Sequence, residues 1–378
     1  GDAREARPGR VFGPCSAARE GVIIVAMSQI PAALGLTSQD VTGLLAVAGR
    51  APSLHNSQPW RFRVEPDRIE LWADPERQLP AADPHGREQR LACGAALFNL
   101  RLALHAHGIR PLVTLHTDRA FPDLLAAVRH GGRKAPTALQ RELLAAVPRR
   151  RTNRRPFTDE PVTTAELMAL RNAAMAEGAW LHVVATPAER TRLLELSADA
   201  HAAQQGDPAF REEFERWTAV EPDRPDGVPA LPNEHRPAAH DRWVARDFTH
   251  GAGRTTAETG VLFENEPALV VLSAQMFGPT SEVAAGQALQ RVLLTATTLG
   301  LSASFLSHII EVDATRDRLR NLIHGTHSPQ AVLRIGHGWP VPATPRRPPE
   351  DTLLVTPPLV SRRTGVRPVD AGLRAGIP

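Results

Sequence analysis

Apolar residues recur at helical spacing in several stretches of the chain, and short strand-like runs lie between them. Val41, Leu44, Leu45 and Ala48 fall on one face of a helix expected over 38–48. Leu97, Leu100 and Leu104 mark a second helix, and Leu289, Val292, Leu293 and Ala296 a third. Two more carry start signals. Thr163 with Glu166 forms a capping box ahead of Leu167, Leu170 and Ala174, and Thr186-Pro187-Ala188-Glu189 joins an N-cap to a first-turn proline and an N3 glutamate. Strands are expected at 61–64 behind Trp60, at 181–184 behind Trp180, and at 268–273, 302–307 and 331–335. Strands alternating with helices predict a layered α+β or α/β fold. Periodicity fails over 206–264, where prolines at 208, 222, 225, 229, 232 and 237 interrupt it. So long an unpatterned stretch is a lid, a binding loop or a disordered segment.

The second and third helices are versions of one another. One offset aligns Gly94 and Gly108 with Gly286 and Gly300, the apolar positions between them follow, and each copy ends at a glycine suited to the left-handed C′ position. The helix leading to Trp60 and its strand is matched by the helix leading to Trp180 and its strand, although the loop before Trp60 is elaborated and that before Trp180 is short. An internal repeat of this kind predicts two related halves, at 27–148 and 149–355. Residues 1–26 read as an extension without packed structure, with Met27 as a natural start, and 356–378 as an Arg/Gly/Pro-rich tail.

Composition narrows the function. With 42% AVILMFWYC and 22% charged residues, the chain is not disordered throughout. Its apolar runs, such as 22–27 and 268–274, fall far short of the roughly 20 residues of a membrane span, so no membrane partner is expected. Forty-four basic residues face 41 acidic ones for a net charge of +3, a balance that removes the case for a nucleic-acid partner. Lys134 is the single lysine, so a Walker A lysine is absent and Schiff-base chemistry would rest on that residue alone. Cys15 and Cys93 make neither a disulfide framework nor a metal signature, and a reducing cytoplasm is the expected location. His105 and His107 point to different faces of a helix, and His324 and His327 lack a third ligand, so no metal site is expected.

Three polar clusters carry candidate chemistry. The first is the proline-fenced loop Pro52-Ser53-Leu54-His55-Asn56-Ser57-Gln58-Pro59 ahead of Trp60; such loops present backbone N–H groups and short side chains to a ligand. A hydrolase role for Ser53 and His55 lacks a nucleophile elbow. The second is Arg149-Arg150-Arg151-Thr152-Asn153-Arg154-Arg155, suited to charge-assisted hydrogen bonds with phosphate. The third is Arg346-Arg347, after the last strand.

The Pro52-Ser53-x-x-Asn56-x-Gln58-Pro59-Trp60 loop, the Arg150-Arg151-Thr152-x-Arg154 segment and the glycine-bounded helix together resemble the FMN-dependent nitroreductases. Ordinary members have the arginine segment first and share each flavin between two chains. Here the order is reversed, which is similar to the Acg family of actinobacterial nitroreductase-like proteins, in which one chain imitates the dimer. The resemblance covers 38–355. It implies an α+β nitroreductase-like fold with two related halves in one chain, which works as a monomer. It implies an FMN site in which Arg150, Arg151, Thr152 and Arg154 anchor the phosphate, ribityl chain and pyrimidine edge. Pro52, Ser53, Leu54 and Asn56 approach from the other half, Leu306 and Ser307 run beside the ring, and Arg346 or Arg347 closes on the phosphate. The implied activity is electron transfer from transiently bound NAD(P)H through FMN to a small aromatic or quinone-like acceptor, with no residue called on as general base. The alternative is a catalytically silent FMN-sequestering protein, with the 206–264 insertion and its Phe210, Phe214, Trp217, Trp243 and Phe248 as the lid.

Overall fold

Helix starts are set by side chains that satisfy the free N–H groups of the first turn. Thr37 with Asp40, Thr137 with Gln140, Thr163 with Glu166 and Thr186 with Glu189 all form reciprocal capping boxes. In this computed structural model, which describes residues 1, 30–116, 120–231, 234–238, 241–244, 246–255, 258, 266–323 and 325–354, the helices are joined by two antiparallel sheets. The extension and tail expected at 1–26 and 356–378 therefore lie almost entirely outside the described residues.

The first half runs α1 (Ser38–Ala48), β1 (Trp60–Glu65), β2 (Arg68–Ala73), α2 (Arg87–Ala106), β3 (Ile109–Leu115), β4 (Leu124–Arg133) and α3 (Ala138–Ala146). The second runs α4 (Thr164–Met175), β5 (Ala179–Val183), α5 (Pro187–Gly206), α6 (Pro208–Thr218), β6 (Ala268–Ala274), α7 (Pro279–Thr298), β7 (Ser302–Phe305), α8 (His308–Glu311), α9 (Asp313–Leu322) and β8 (Ser328–Gly336). The sheet orders are β1-β2-β4-β3 and β5-β6-β8-β7, so the repeat in sequence coincides with a repeat in topology. Registers centre on Ile69↔Val128↔Val113 in the first sheet and on Val270↔Leu333↔Phe305 in the second. This is an α+β fold.

Three features depart from the sequence reading. The insertion is not patternless at its start: Asp207 caps Ala209 N and Pro208 takes the first helical position, so the proline opens α6 instead of interrupting it. Strands β2, β3 and β4 were not anticipated; β1 and β2 are joined by the turn residues Pro66 and Asp67. The strand expected at 302–307 ends at Phe305, and Ser307 opens α8.

Helices α2 and α7 cross between the sheets with their backbones in contact. A Cβ on Gly94 would lie 2.1 Å from the Val283 carbonyl oxygen, and one on Gly286 2.0 Å from that of Leu91. These are the glycines that the repeat aligns. Around the crossing, Arg90 Nε donates to Glu282 at 2.5 Å and Gln290 Nε2 to Asn99 Oδ1 at 2.8 Å. On one side α1 and α2 cover the first sheet through Leu44, Leu45, Leu97 and Leu100; on the other α4 and α7 cover the second through Leu170, Leu289 and Val292. The second sheet is also covered on its outer face by Leu193 and Leu196 of α5 and Leu319 of α9, so all nine residues of β8 are buried. The halves interlock: the chain after β8 returns to pair Leu353 with Phe62 of β1, while within the second half Thr152 bridges to Ala303 of β7. No helix among the described residues is long and apolar enough to cross a membrane.

Candidate functional site

The chain leaves α1 through a loop whose backbone turns left-handed at His55 (φ 49°), Asn56 (φ 55°) and Gln58 (φ 51°). Non-glycine residues in that region are strained by about 1–3 kcal/mol each and persist only where the surroundings fix them. Here they are fixed from three sides. Ser53 Oγ accepts from Gln58 N at 2.9 Å; Asn56 Nδ2 donates to Gly227 O at 3.0 Å and Pro345 O at 3.1 Å; Gln58 Nε2 donates to Pro225 O at 2.7 Å while its Oε1 accepts from Arg347 N at 2.9 Å. The insertion and the segment after β8 thus clamp the loop.

Beneath it lies a pocket of about 540 Å³ lined by five arginines, Arg50, Arg150, Arg151, Arg154 and Arg346, and by no carboxylate. Arg150 is 5% exposed, and its Nε and Nη1 have no partner among the described residues. Burial, with Arg346 and Arg151 close by, pushes its guanidinium down to about 9. Burial and the nearby Arg50 and Arg151 bring Arg346 down to about 10. Buried cations that repel one another and keep unused donors suit an anion, and phosphate is the anion that arginine forks match best.

Pro52, Ser53, Thr152 and Arg154 also line a second, larger cavity of about 860 Å³. Its walls are mainly apolar: Leu54 from the loop, Leu91 and Ala92 from α2, Leu289 from α7, and Phe305 and Leu306 after β7. The insertion supplies a further wall through Trp243, Val244 and Phe248. The Arg154 guanidinium lies 4.2 Å from the Phe248 ring centroid, and burial brings it down to about 10. His55 is buried with both ring nitrogens unpartnered, and burial, then Arg246 and Arg154, holds it well below the usual histidine range. His308 shares a 2.7 Å hydrogen bond with Ser197 and is likewise kept neutral by burial. Arg246 pins the insertion down: it forms a buried ion pair with Glu311, donates to Gln204 Oε1 at 2.8 Å and reaches Ser307 Oγ at 3.1 Å.

Of the residues singled out in sequence, Pro52, Ser53, Leu54, Thr152, Arg154, Leu306 and Ser307 line the larger cavity, and Asn56, Arg150, Arg151 and Arg346 line the arginine pocket. Arg347 lines neither. It donates to Gln58 O at 3.0 Å and to Asp351 O, a strap between segments. Asn56 is committed to backbone carbonyls and to Arg346, which donates to its Oδ1 at 2.9 Å, so it shapes the pocket more than it offers free donors. Sequence reasoning missed Glu88, Arg246 and Arg50 as cavity residues; only the adjacency of Arg50 to the loop was a signal. Among the described residues no group of His, Cys, Asp or Glu is arranged to hold a metal. Cys93 is buried beside Pro59 O at 3.3 Å, and burial pushes its thiol up.

The family model described as Nitroreductase family matches residues 147–337, from just before the arginine segment to the end of β8. An uncharacterized protein, Rv3127, of Mycobacterium tuberculosis is 33% identical over 325 residues, 82% of this chain and 91% of that one. The "Putative NAD(P)H nitroreductase acg" of the same organism is 32% identical over 324 residues, 85% of this chain and 97% of that one. Among solved structures, a nitroreductase with bound FMN from Desulfitobacterium hafniense covers 57% of this chain and 98% of its own, at 16% identity and a TM-score of 0.34.

Proposed function

This chain belongs to the nitroreductase family, and from that premise we propose that it holds FMN and passes electrons from NAD(P)H to a small aromatic or quinone-like acceptor. The observation that carries the reading is the pocket of five arginines without a carboxylate, joined to a cavity of mainly apolar wall. The unpartnered Nε and Nη1 of Arg150, with the unpartnered Nε of Arg151 and of Arg346, fit a phosphate group. Arg150, Arg151 and Arg346 would hold that phosphate, Thr152 would bond the chain behind it, and Leu54 and Leu306 would flank a planar ring. Bound FMN supplies a two-electron carrier that takes hydride from NAD(P)H and returns electrons to the acceptor. Arg154 stays cationic at neutral pH and places positive charge at the junction of pocket and cavity, where it stabilises negative charge gained on reduction. The walls come from both halves of the chain, so one chain would form one complete site as a monomer.

A second reading rests on the insertion. Trp243, Val244 and Phe248 wall the cavity, and the Arg246–Glu311 pair holds them there. A cavity closed in that way retains FMN and admits no acceptor. The two readings separate under anaerobic conditions: NADH or NADPH bleaches the yellow protein and a quinone restores the colour if it is an enzyme, whereas a yellow protein that neither nucleotide bleaches is a store. A colourless protein that takes up no added FMN sinks both. Arg154→Ala should weaken FMN retention tenfold or more, on the scale of a charge-assisted hydrogen bond of about 1.5–3 kcal/mol. Arg141→Ala, on α3 and outside both cavities, should leave it unchanged; equal retention in the two variants would break the assignment.

A further inference from the structure

The cavity wall contains a carboxyl group that nothing so far accounts for. Glu88 sits in the first turn of α2, and Leu91 and Ala92, one turn further on, line the same cavity. Three other carboxylates surround it, and each already has partners. Asp83 accepts from Arg87 N at 2.8 Å and Gln89 N at 2.9 Å; Glu282 of α7 pairs with Arg90 at 2.5 Å; Glu311 of α8 pairs with Arg246 of the insertion. Among the described residues the Glu88 side chain has no hydrogen-bond or ion-pair partner. Burial first, then Asp83, Glu311 and Glu282, raise it well above the usual carboxylate range against the single opposing influence of Arg246. The other titratable groups on the cavity wall are His55 and His308, both shifted towards the neutral form by burial, and the cations Arg154 and Arg246, the second paired with Glu311. Glu88 is thus a half-buried carboxyl on the wall of ligand space, shifted towards its protonated form. A second polar side chain of that wall, His55, is 3% exposed with both ring nitrogens unpartnered, so the space is built for a ligand with polar atoms.

Resting on the oxidoreductase reading above, we infer that Glu88 is the proton donor to the acceptor, and that the acceptor class is one whose reduction places negative charge on oxygen, such as a quinone. Reducing a quinone to a hydroquinone takes a hydride and a proton. The hydride equivalent comes from NAD(P)H, which leaves as NAD(P)+. The proton comes from Glu88: its O–H bond breaks, an O–H bond forms on the quinone oxygen, and the carboxylate recovers its proton from water. The upward shift favours a carboxyl that still carries its proton near neutral pH, and the attraction of Arg246 offsets part of the negative charge left on Glu88 after the transfer.

The test uses the full chain with Glu88→Gln, which keeps the shape and loses the acidic proton, and Glu88→Asp, which keeps the acid. The infrared spectrum at pH 7 of protein without flavin should contain a protonated-carboxyl band that is missing from Glu88→Gln; identical spectra overturn the proposal. Flavin-loaded protein, reduced with dithionite and mixed with p-benzoquinone, should reoxidise about 100-fold more slowly in Glu88→Gln, the lower end of what general acids contribute. The wild-type rate should fall as pH rises and the acid ionises, the Gln variant should show no such fall, and Glu88→Asp should recover part of the rate. Reoxidation at equal rates in wild type and Glu88→Gln overturns the role, as does equal slowing of bleaching by NAD(P)H and of reoxidation. A protein that takes up no FMN ends the underlying reading and this one with it, whereas a yellow protein with unchanged quinone kinetics ends only this one.

Discussion

Two arginines are buried to nearly the same degree and do opposite things. Arg246 is 8% exposed and tied to Glu311, Gln204 and Ser307, with only its Nε unpartnered. Arg150 is 5% exposed, stands among other arginines and leaves Nε and Nη1 unused. A buried cation costs free energy unless it is paired. The first is matched within the chain and holds the insertion in place, while the second keeps donors to spare for an anion such as the phosphate proposed above. Partners, more than burial or residue type, separate the two.

The contrast is most severely tested by removing a partner. Glu311→Ala leaves Arg246 as an uncompensated buried charge and should cost about 3–5 kcal/mol, read as a lower denaturant midpoint. A loss under 1 kcal/mol would show that the latch is solvated. The opposite sign is expected at the other arginine. Arg150→Met removes a cation that the unliganded fold disfavours by on the order of a few kcal/mol. It should raise the melting temperature of flavin-free protein by several degrees and abolish the further rise that FMN or inorganic phosphate gives the wild type. A lower melting temperature would place an unseen partner on Arg150. The smallest effect concerns pH. His308 is neutral in the fold because burial depresses it, whereas in the unfolded chain it protonates near 6.5. The unfolded state then binds more protons below that value, so stability is present at pH 7.5 and lost as pH falls. The loss reaches at most about 1.4 kcal/mol at pH 5.5 from this residue. His308→Gln should flatten the decline by that amount; an unaltered slope would mean that His308 protonates freely in the fold.

Much of the scaffold was legible because local signals agreed with the tertiary structure. The Thr163 and Thr186 caps start helices where their side chains dictate, and the aligned glycines mark a real crossing. β4 was hidden because Leu124 to Arg133 carries two glycines and two alanines, and its strand character comes from pairing with β2 and β3 on either side. Proline misled at Pro208, where position within the helix decides its effect. In the site, the arginine segment and the Pro-Ser loop were readable from composition, since their chemistry is local. Glu88 and Arg246 were not, because a lone glutamate in a first turn and a lone arginine in a proline-rich stretch gain meaning only from neighbours distant in sequence.

The contact of Gly94 with Gly286 bears on how this protein can change. Where two backbones touch, no smaller residue exists to be substituted and every larger one forces them apart. Leu91 and Ala92 on one helix and Leu289 on the other border that crossing and line the cavity, so the spacing of the two helices beneath it is set by peptide groups that side-chain variation cannot adjust. Variation in the shape of the cavity is left to the side chains that line it: those three, Leu54 and His55 of the loop, and Trp243 and Phe248 of the insertion. Relatives with different substrates should differ there and share the glycines.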